Sequence, residues 1–133
     1  MKKDITIPEV KDVFIAIVNE YNNAFKCNDW NAYIINNKET ALEMVLIVSK
    51  GYDSEENKET STIRRKIEEL PAKSFAKIEL VQNDVLELTN TFAVTYFENS
   101  KMFDKTFIFE KGSVTSKNLV NVPLINKQGV IKK

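Results

Sequence analysis

Short runs in which apolar residues alternate with polar ones recur about every ten residues along this chain, separated by turn-forming residues. A period of two places the apolar side chains on one face of a strand, so each run predicts a half-buried β-strand. Seven such strands predict an all-β fold, a two-sheet antiparallel sandwich of immunoglobulin-like architecture. The predicted strands are Val13–Val18, Trp30–Ile35, Leu42–Val48, Thr62–Glu68, Phe75–Val81, Phe92–Phe97 and Met102–Phe109.

The segment Thr62–Leu70 allows two predictions, a strand or a helix. Ile63 and Ile67 face inward in a strand, whereas Ile63, Ile67 and Leu70 share one face of a helix. Pro71 ends the element in either case, because the residue before a proline avoids the helical region. The period of two that dominates the rest of the chain favours the strand.

The chain is predicted to form one β-sandwich domain over residues 1–133. A chain of this length buries roughly two thirds of its unfolded surface, which is enough for a core without metals or disulfides. Trp30 opens a predicted strand and is expected to be largely buried. The C-terminal tail, Ser113–Lys133, is expected to include one helical turn that Ser116 caps before Pro123.

The amino-acid composition excludes several kinds of chemistry. The chain has no histidine, one cysteine and three glycines. Without histidine there is no Ser-His-Asp triad, no Cys-His dyad and no histidine metal site. The glycines fit no phosphate-binding loop, so nucleotide binding has no support. The sequence therefore predicts a protein that is not an enzyme, with no catalytic residue, no metal and no cofactor.

The most polar loop, Gly51–Thr60, carries oxygen-bearing side chains at alternating positions, as the start of a calcium loop does. These residues are Asp53, Glu55, Asn57 and Glu59. The pattern fails at its sixth position, where a lysine stands in place of the glycine that the calcium loop needs for its sharp turn. Solvated carboxylates are the better interpretation.

The N-terminal residues predict no export signal. Asp4, Pro8 and Glu9 interrupt the apolar stretch that must follow the lysines of a signal peptide. No run approaches the roughly eighteen apolar residues of a membrane span. Cys27 has no second cysteine to pair with, so nothing requires an oxidising compartment. We expect a cytoplasmic protein with no membrane partner.

The charge balance argues against nucleic acid as a partner. Lysine plus arginine equals aspartate plus glutamate at 19 each, so no net field draws a polyanion. The densest basic cluster is Arg64, Arg65 and Lys66, and Tyr52 in the preceding loop offers a ring for base stacking. These four residues are the candidate binding site, and an RNA- or translation-associated accessory domain is the alternative function that they support.

The hairpin Phe92–Phe109 carries apolar side chains on both faces. Phe97 and Ile108 lie opposite the main inward-facing aromatic set. We expect the tail Leu119–Ile131 to cover most of that second face, and the remainder to contact a partner. The sequence thus favours a non-catalytic protein-binding domain, with self-association as one form of binding. A small-molecule carrier that uses the aromatic hairpin as its pocket is a further alternative.

Five short stretches of the chain carry a resemblance to known proteins. They are 30–36, 49–52, 60–65, 103–109 and 123–125, which read WNAYIIN, SKGY, TSTIRR, FDKTFIF and PLI. Together they resemble a family of short, uncharacterised bacterial proteins, over the full length of the chain. Some members of that family carry the label phenylalanyl-tRNA synthetase alpha subunit. The catalytic core of class II synthetases is far larger and needs arginines and a glycine-rich segment in set motifs, so the resemblance implies no activity and no functional residue.

Overall fold

A computed structural model describes residues 9–60 and 62–133, so the predictions made for the N-terminal residues up to Pro8 lie outside it. Two five-stranded sheets pack face to face, and all registered strand pairs in the described residues are antiparallel. This confirms the two-sheet antiparallel sandwich. The strands are β1 Val13–Asn22, β2 Cys27–Asn36, β3 Leu42–Asp53, β4 Lys58–Glu59, β5 Ile63–Leu70, β6 Ser74–Val81, β7 Thr89–Glu98, β8 Lys101–Phe109, β9 Val120–Val122 and β10 Lys127–Lys132, with a short helix α1 at Asn83–Leu86.

The strand order shows which elements form each layer. The first sheet has the order β6-β2-β1-β10-β9, and the second has the order β4-β3-β7-β8, with β5 pairing with β3 beside β4. The architecture is that of immunoglobulin-like sandwiches, although the number of strands and their order differ from the seven-stranded arrangement of those domains. The core lies between the two sheets and is built from the inward-facing residues of both.

The seven predicted strands are all present, and the ambiguous segment is strand β5 rather than a helix. The loop predicted between the last two of them is a two-residue turn. Asn99 and Ser100 both have positive φ angles, of 51° and 64°, as a type I′ hairpin turn requires. This turn sets the register in which Phe97 pairs with Met102 and Tyr96 with Phe103.

A bulge in β3 changes which of its side chains share a face. Simple alternation places Leu42 and Leu46 on the same face of the strand. The register between β3 and β7 shifts between Glu43 and Leu46, and Met44 has a φ of 51°. The extra residue turns Leu46 outward, so that it is 40% exposed while Leu42 is fully buried.

The C-terminal tail contains more strand than predicted. The expected helical turn is a 3-10 helix at Ser116–Asn118, but Thr115 rather than Ser116 is its N-cap and forms no side-chain cap hydrogen bond. Strands β9 and β10 follow, and β10 pairs with β1 in the first sheet. The tail therefore does not cover the hairpin Phe92–Phe109, which belongs to the second sheet, and that prediction is wrong.

The core is built from branched aliphatic residues on the first sheet and aromatic residues on the second. Phe92 and Phe109 meet edge to face with ring centroids 5.7 Å apart, and Tyr96 stacks on Phe103 at 5.1 Å. Trp30 packs against this core and is partly buried, with an exposure intermediate between those of core and surface residues. It lies near the start of β2, at the end of the sandwich.

Tyr96 brings a polar group into the core without a partner. Its side chain is 1% exposed, and its hydroxyl forms no hydrogen bond with any described residue. Burial, followed by the nearby charge of Glu98, raises the pKa of Tyr96 to about 12. The phenol therefore stays neutral in the folded protein at pH values where it ionises in the unfolded chain.

We expect Tyr96→Phe to stabilise the protein, because an unsatisfied buried polar group costs about 1–3 kcal/mol. The free energy of unfolding of wild type also depends on pH through this group. It is unaffected by the ionisation of Tyr96 below pH 10, and it falls as pH rises from 10 towards 12, because the phenol ionises in the unfolded chain before it does so in the folded protein. Urea unfolding at pH 7 should therefore give a higher free energy for the variant, and wild type should lose more stability than the variant between pH 10 and 12. A lower free energy for the variant at pH 7 would contradict this.

Candidate functional site

The four residues of the predicted binding site do not converge. Arg64 and Lys66 face outward on β5, opposite Val48 and Leu46 of β3, whereas Arg65 alternates to the side that faces the other sheet. Tyr52 is 37% exposed on the same outer face as Arg64. It lies four residues beyond Val48, roughly 13 Å further along β3. The basic cluster therefore offers two cations on one face, without a neighbouring ring to stack on a base.

The outer face of the second sheet carries a group of large exposed apolar side chains, which we call the apolar face. Register places them on adjacent strands, since Phe97 pairs with Met102 across β7 and β8. Outward-facing threonines at positions 91, 95 and 106 lie between them. The members and their exposures are Met44 51%, Leu46 40%, Phe97 38%, Met102 54% and Ile108 45%.

The outer face of the first sheet also carries apolar residues, of which Phe75, Leu80 and Val120 are 43–48% exposed and the others are buried. Phe14, Ala16, Val18, Ile35 and Val122 form a second small core, with exposures between 0% and 7%. The partly buried residues that pack on it come mostly from the tail, and the Lys133 ammonium lies 5.5 Å from the Phe14 ring centroid. The tail residues are Leu124, Ile125 and Ile131. The tail thus covers part of the outer face of the first sheet, and it leaves the apolar face of the second sheet exposed.

The edge strands of both sheets carry features that disfavour pairing with another chain. β5 exposes five charged side chains, β6 is bulged against β2, and β9 has only three residues. On β8, Lys105 points toward the interior and lies 5.1 Å from the Phe107 ring centroid. An inward-facing charge on an edge strand hinders the docking of a further strand. A partner would therefore meet a face of this sandwich rather than an edge.

The loop with alternating carboxylates is held by an ion pair, not arranged around a cation. Asp53 is 7% exposed, and its Oδ2 accepts a hydrogen bond from Lys111 Nζ at 2.7 Å. That bond lowers the pKa of Asp53 and raises the pKa of Lys111. The backbone amide of Glu55 donates to Asp53 Oδ1 at 3.1 Å. Asp53 thus anchors the turn after β3, which explains its place in the sequence without calcium.

A polar network links the ends of the hairpin β1–β2 to β10. Glu20 accepts hydrogen bonds from Tyr33 Oη at 2.7 Å, Asn31 Nδ2 at 2.9 Å and Lys127 Nζ at 2.6 Å. Burial alone would raise the pKa of Glu20, but these hydrogen bonds outweigh it and lower the pKa below its usual range. Burial, and then the bond to Glu20, raises the pKa of Tyr33 to about 12. The network fastens β10, which completes the first sheet.

The remaining candidates for chemistry are dispersed. Cys27 is exposed at the start of β2. Glu68 and Glu69 are exposed neighbours on β5 and do not converge. In residues 9–60 and 62–133, no group of three or more cysteine, aspartate and glutamate side chains is arranged to hold a metal ion. None of the helices in these ranges is long and apolar enough to cross a membrane.

Three of the five members of the apolar face were not predicted to lie there. The sequence pattern identified Phe97 and Ile108 as opposite the core, but it assigned Met44 and Leu46 to a common face with Leu42. The run Met44-Val45-Leu46-Ile47 has apolar residues at both odd and even positions, and this pattern indicates that both faces of β3 carry apolar side chains.

The chain was compared with protein-family models, curated proteins and solved structures. No protein-family model, no curated protein and no solved structure matches the chain.

Proposed function

We propose that this protein is a non-catalytic, protein-binding β-sandwich that associates with a second copy of itself through the apolar face. The observation that carries the proposal is the concentration of Met44, Leu46, Phe97, Met102 and Ile108 on one outer sheet face. Met44, Leu46, Phe97 and Met102 lie near one another towards the hairpin end of this face, and Ile108 lies further along β8, beyond Asp104 and Thr106. Exposed apolar patches mark contact surfaces in soluble proteins. The features that block the edge strands direct the contact to the face.

The charges around the apolar face support a second copy as the partner. Arg64 and Lys66 face outward at the β5 side, and Asp104 faces outward on β8. Glu43 faces outward at one end of β3. A face with a single sign of charge would repel its own copy, whereas a face with both signs can be paired with itself.

The size of the face sets the expected strength of association. Four strands spaced about 4.8 Å apart, each about eight residues long, give a face of roughly 500 Å² per copy. Stable complexes bury about 800 Å² per partner. We therefore expect a weak, reversible dimer, with a dissociation constant in the high micromolar range.

The alternatives find less support. An RNA contact through Arg64, Arg65 and Lys66 would divide its cations between two faces of β5, with Tyr52 at a distance. A carrier that uses the aromatic hairpin would need several of its rings to line a cavity, but Tyr96, Phe107 and Phe109 are between 0% and 2% exposed within the core. For location we propose the cytoplasm, where an exposed thiol such as Cys27 stays reduced.

Sedimentation velocity over protein concentrations from about 10 µM to about 1 mM tests the proposal. We expect the weight-average sedimentation coefficient of wild type to rise with concentration. In the double variant Phe97→Ser, Met102→Ser the dissociation constant should rise at least about tenfold, because two apolar contacts near the centre of the patch are lost.

A matched control uses exposed apolar residues elsewhere. Phe25 is 79% exposed in the β1–β2 turn, and Val120 is 47% exposed on β9. The double variant Phe25→Ser, Val120→Ser removes comparable apolar surface and should associate as wild type does. A wild type that stays monomeric over the whole range, or equal effects of the two double variants, would refute the proposal.

A further inference from the structure

A cleft opens between the two sheets where their edge strands diverge. β5 belongs to the second sheet and β6 to the first, and the turn Pro71–Lys73 joins them. From this turn the strands run apart, and the cleft lies at the far end, between the start of β5 and the end of β6. Its volume is about 270 Å³. This site is independent of the apolar face, which lies on the outside of the second sheet.

The cleft has mostly apolar walls. Phe92 forms part of its lining and is 2% exposed, and Val81 is 5% exposed. Ile63 and Leu80 also line it and are 46% and 48% exposed, so both are reached from solvent. A volume of about 270 Å³ is slightly below the range of drug-sized ligand pockets, so the cleft suits a small organic molecule.

Two of the polar residues that line the cleft, Ser49 and Glu79, offer hydrogen-bond acceptors to it. Ser49 is 5% exposed, and its hydroxyl donates to the Oε1 atom of Glu79. This leaves the second carboxylate oxygen of Glu79 and the lone pairs of Ser49 Oγ without a donor among the described residues. Asn90, also 5% exposed, uses its Nδ2 group to donate to the carbonyl oxygens of Val85 and Leu88, at 2.9 and 3.1 Å.

The carboxylate of Glu79 has no cationic partner within residues 9–60 and 62–133. Lys50 also lines the cleft, but its ammonium group forms an ion pair with Glu59 and not with Glu79. A partly buried carboxylate beside apolar surface favours a cation that brings its own hydrogen-bond donors. The arrangement thus combines a negative charge and further acceptors with an apolar chamber.

We propose that this cleft binds a small primary ammonium compound with an apolar body. The ammonium group donates to the free oxygen of Glu79 and to Ser49 Oγ, and the apolar body packs against Phe92 and Val81. An ammonium group has three donors and no acceptor, which matches a wall of acceptors.

Titration of the full chain, followed by NMR chemical shifts, with isopentylammonium and with neutral isopentanol tests this proposal. The two probes share the same apolar body and differ in the cationic group. We expect the ammonium to bind about tenfold or more tightly than the alcohol, because a hydrogen bond to a charged group is worth about 1.5–3 kcal/mol. The shifts should affect Asn90 and Phe92. Equal affinities, or shifts centred elsewhere, would overturn the proposal.

The variant Glu79→Gln removes the charge and keeps the shape and the hydrogen bond from Ser49. We expect the preference for the ammonium over the alcohol to disappear, while the affinity for the alcohol stays within about twofold. Glu87→Gln, at an exposed carboxylate that does not line this cleft, is the matched control and should keep the preference. If Glu79→Gln still bound the ammonium more tightly than the alcohol, the proposal would be overturned. This result is independent of whether the protein self-associates through the apolar face.

Discussion

Asn36→Ala should lower the free energy of unfolding by about 3–5 kcal/mol, a large effect for a residue that sequence analysis treats as the end of a strand. Asn36 is fully buried at the end of β2. Its Nδ2 group donates to the carbonyl oxygens of Thr40 at 2.9 Å, Leu70 at 3.1 Å and Pro71 at 3.0 Å. Its Oδ1 atom accepts from the backbone amide of Lys38 at 3.0 Å.

The cost is high because alanine removes four hydrogen bonds at once and leaves the buried carbonyl of Leu70 and three part-buried backbone groups without this partner. Each such group costs about 1–3 kcal/mol when it loses its partner without gaining water. The same side chain ties the turn after β2, in the first sheet, to the end of β5, in the second sheet. Its loss should therefore loosen the contact between the two layers as well.

Asn37→Ala provides the matched control for this prediction. The side chain of Asn37 accepts only an exposed hydrogen bond, from Lys73 Nζ at 3.3 Å, in the described part of the chain. Its replacement should cost less than about 1 kcal/mol. Urea unfolding of both variants at neutral pH measures the difference. Similar costs for the two asparagines would contradict the assigned role of Asn36.

Gly129→Ala should cost about 2–3 kcal/mol through overpacking, the second large effect that the structure predicts. Gly129 pairs with Val18 on one side and Val120 on the other. A Cβ atom at this position would lie 2.8 Å from Ile17 O and 2.9 Å from Val122 Cγ2. The first of these is backbone, so β1 and β10 would have to move apart.

Gln128→Ala, at the exposed neighbouring position, is the control and should stay within about 0.5 kcal/mol of wild type. Thermal unfolding of the two variants would show the contrast. Wild-type stability in Gly129→Ala would mean that β10 does not approach β1 as closely as described.

The fold was predictable because its dominant signal is local. The period of two and the turn residues between runs identify seven strands, and the hairpin turn at Asn99 and Ser100 follows from the loop length. The partners of the tail were not predictable, because β9 is short and β10 contains a glycine, which weakens a strand pattern. The need for a glycine at position 129 follows only from the close approach of the Ile17 backbone, and that contact cannot be read from the sequence.

The candidate site was predictable only in part, for a related reason. The apolar residues on the second face of the hairpin were visible in the sequence, and they pointed to a contact surface. Which face the tail covers depends on a strand pairing between residues more than a hundred positions apart. The bulge at Met44, which moves Leu46 to the outside, depends on the register with β7.

The rate of methionine oxidation by dilute peroxide tests most directly whether the apolar face is the contact surface. Met44 and Met102 both lie on it, at 51% and 54% exposure. Initial rates for each methionine, read by peptide mass spectrometry, are compared at about 10 µM and about 1 mM protein. We predict that both residues react about two- to threefold more slowly in the concentrated sample, because association covers them in most but not all of the molecules. Equal rates at the two concentrations would contradict the account.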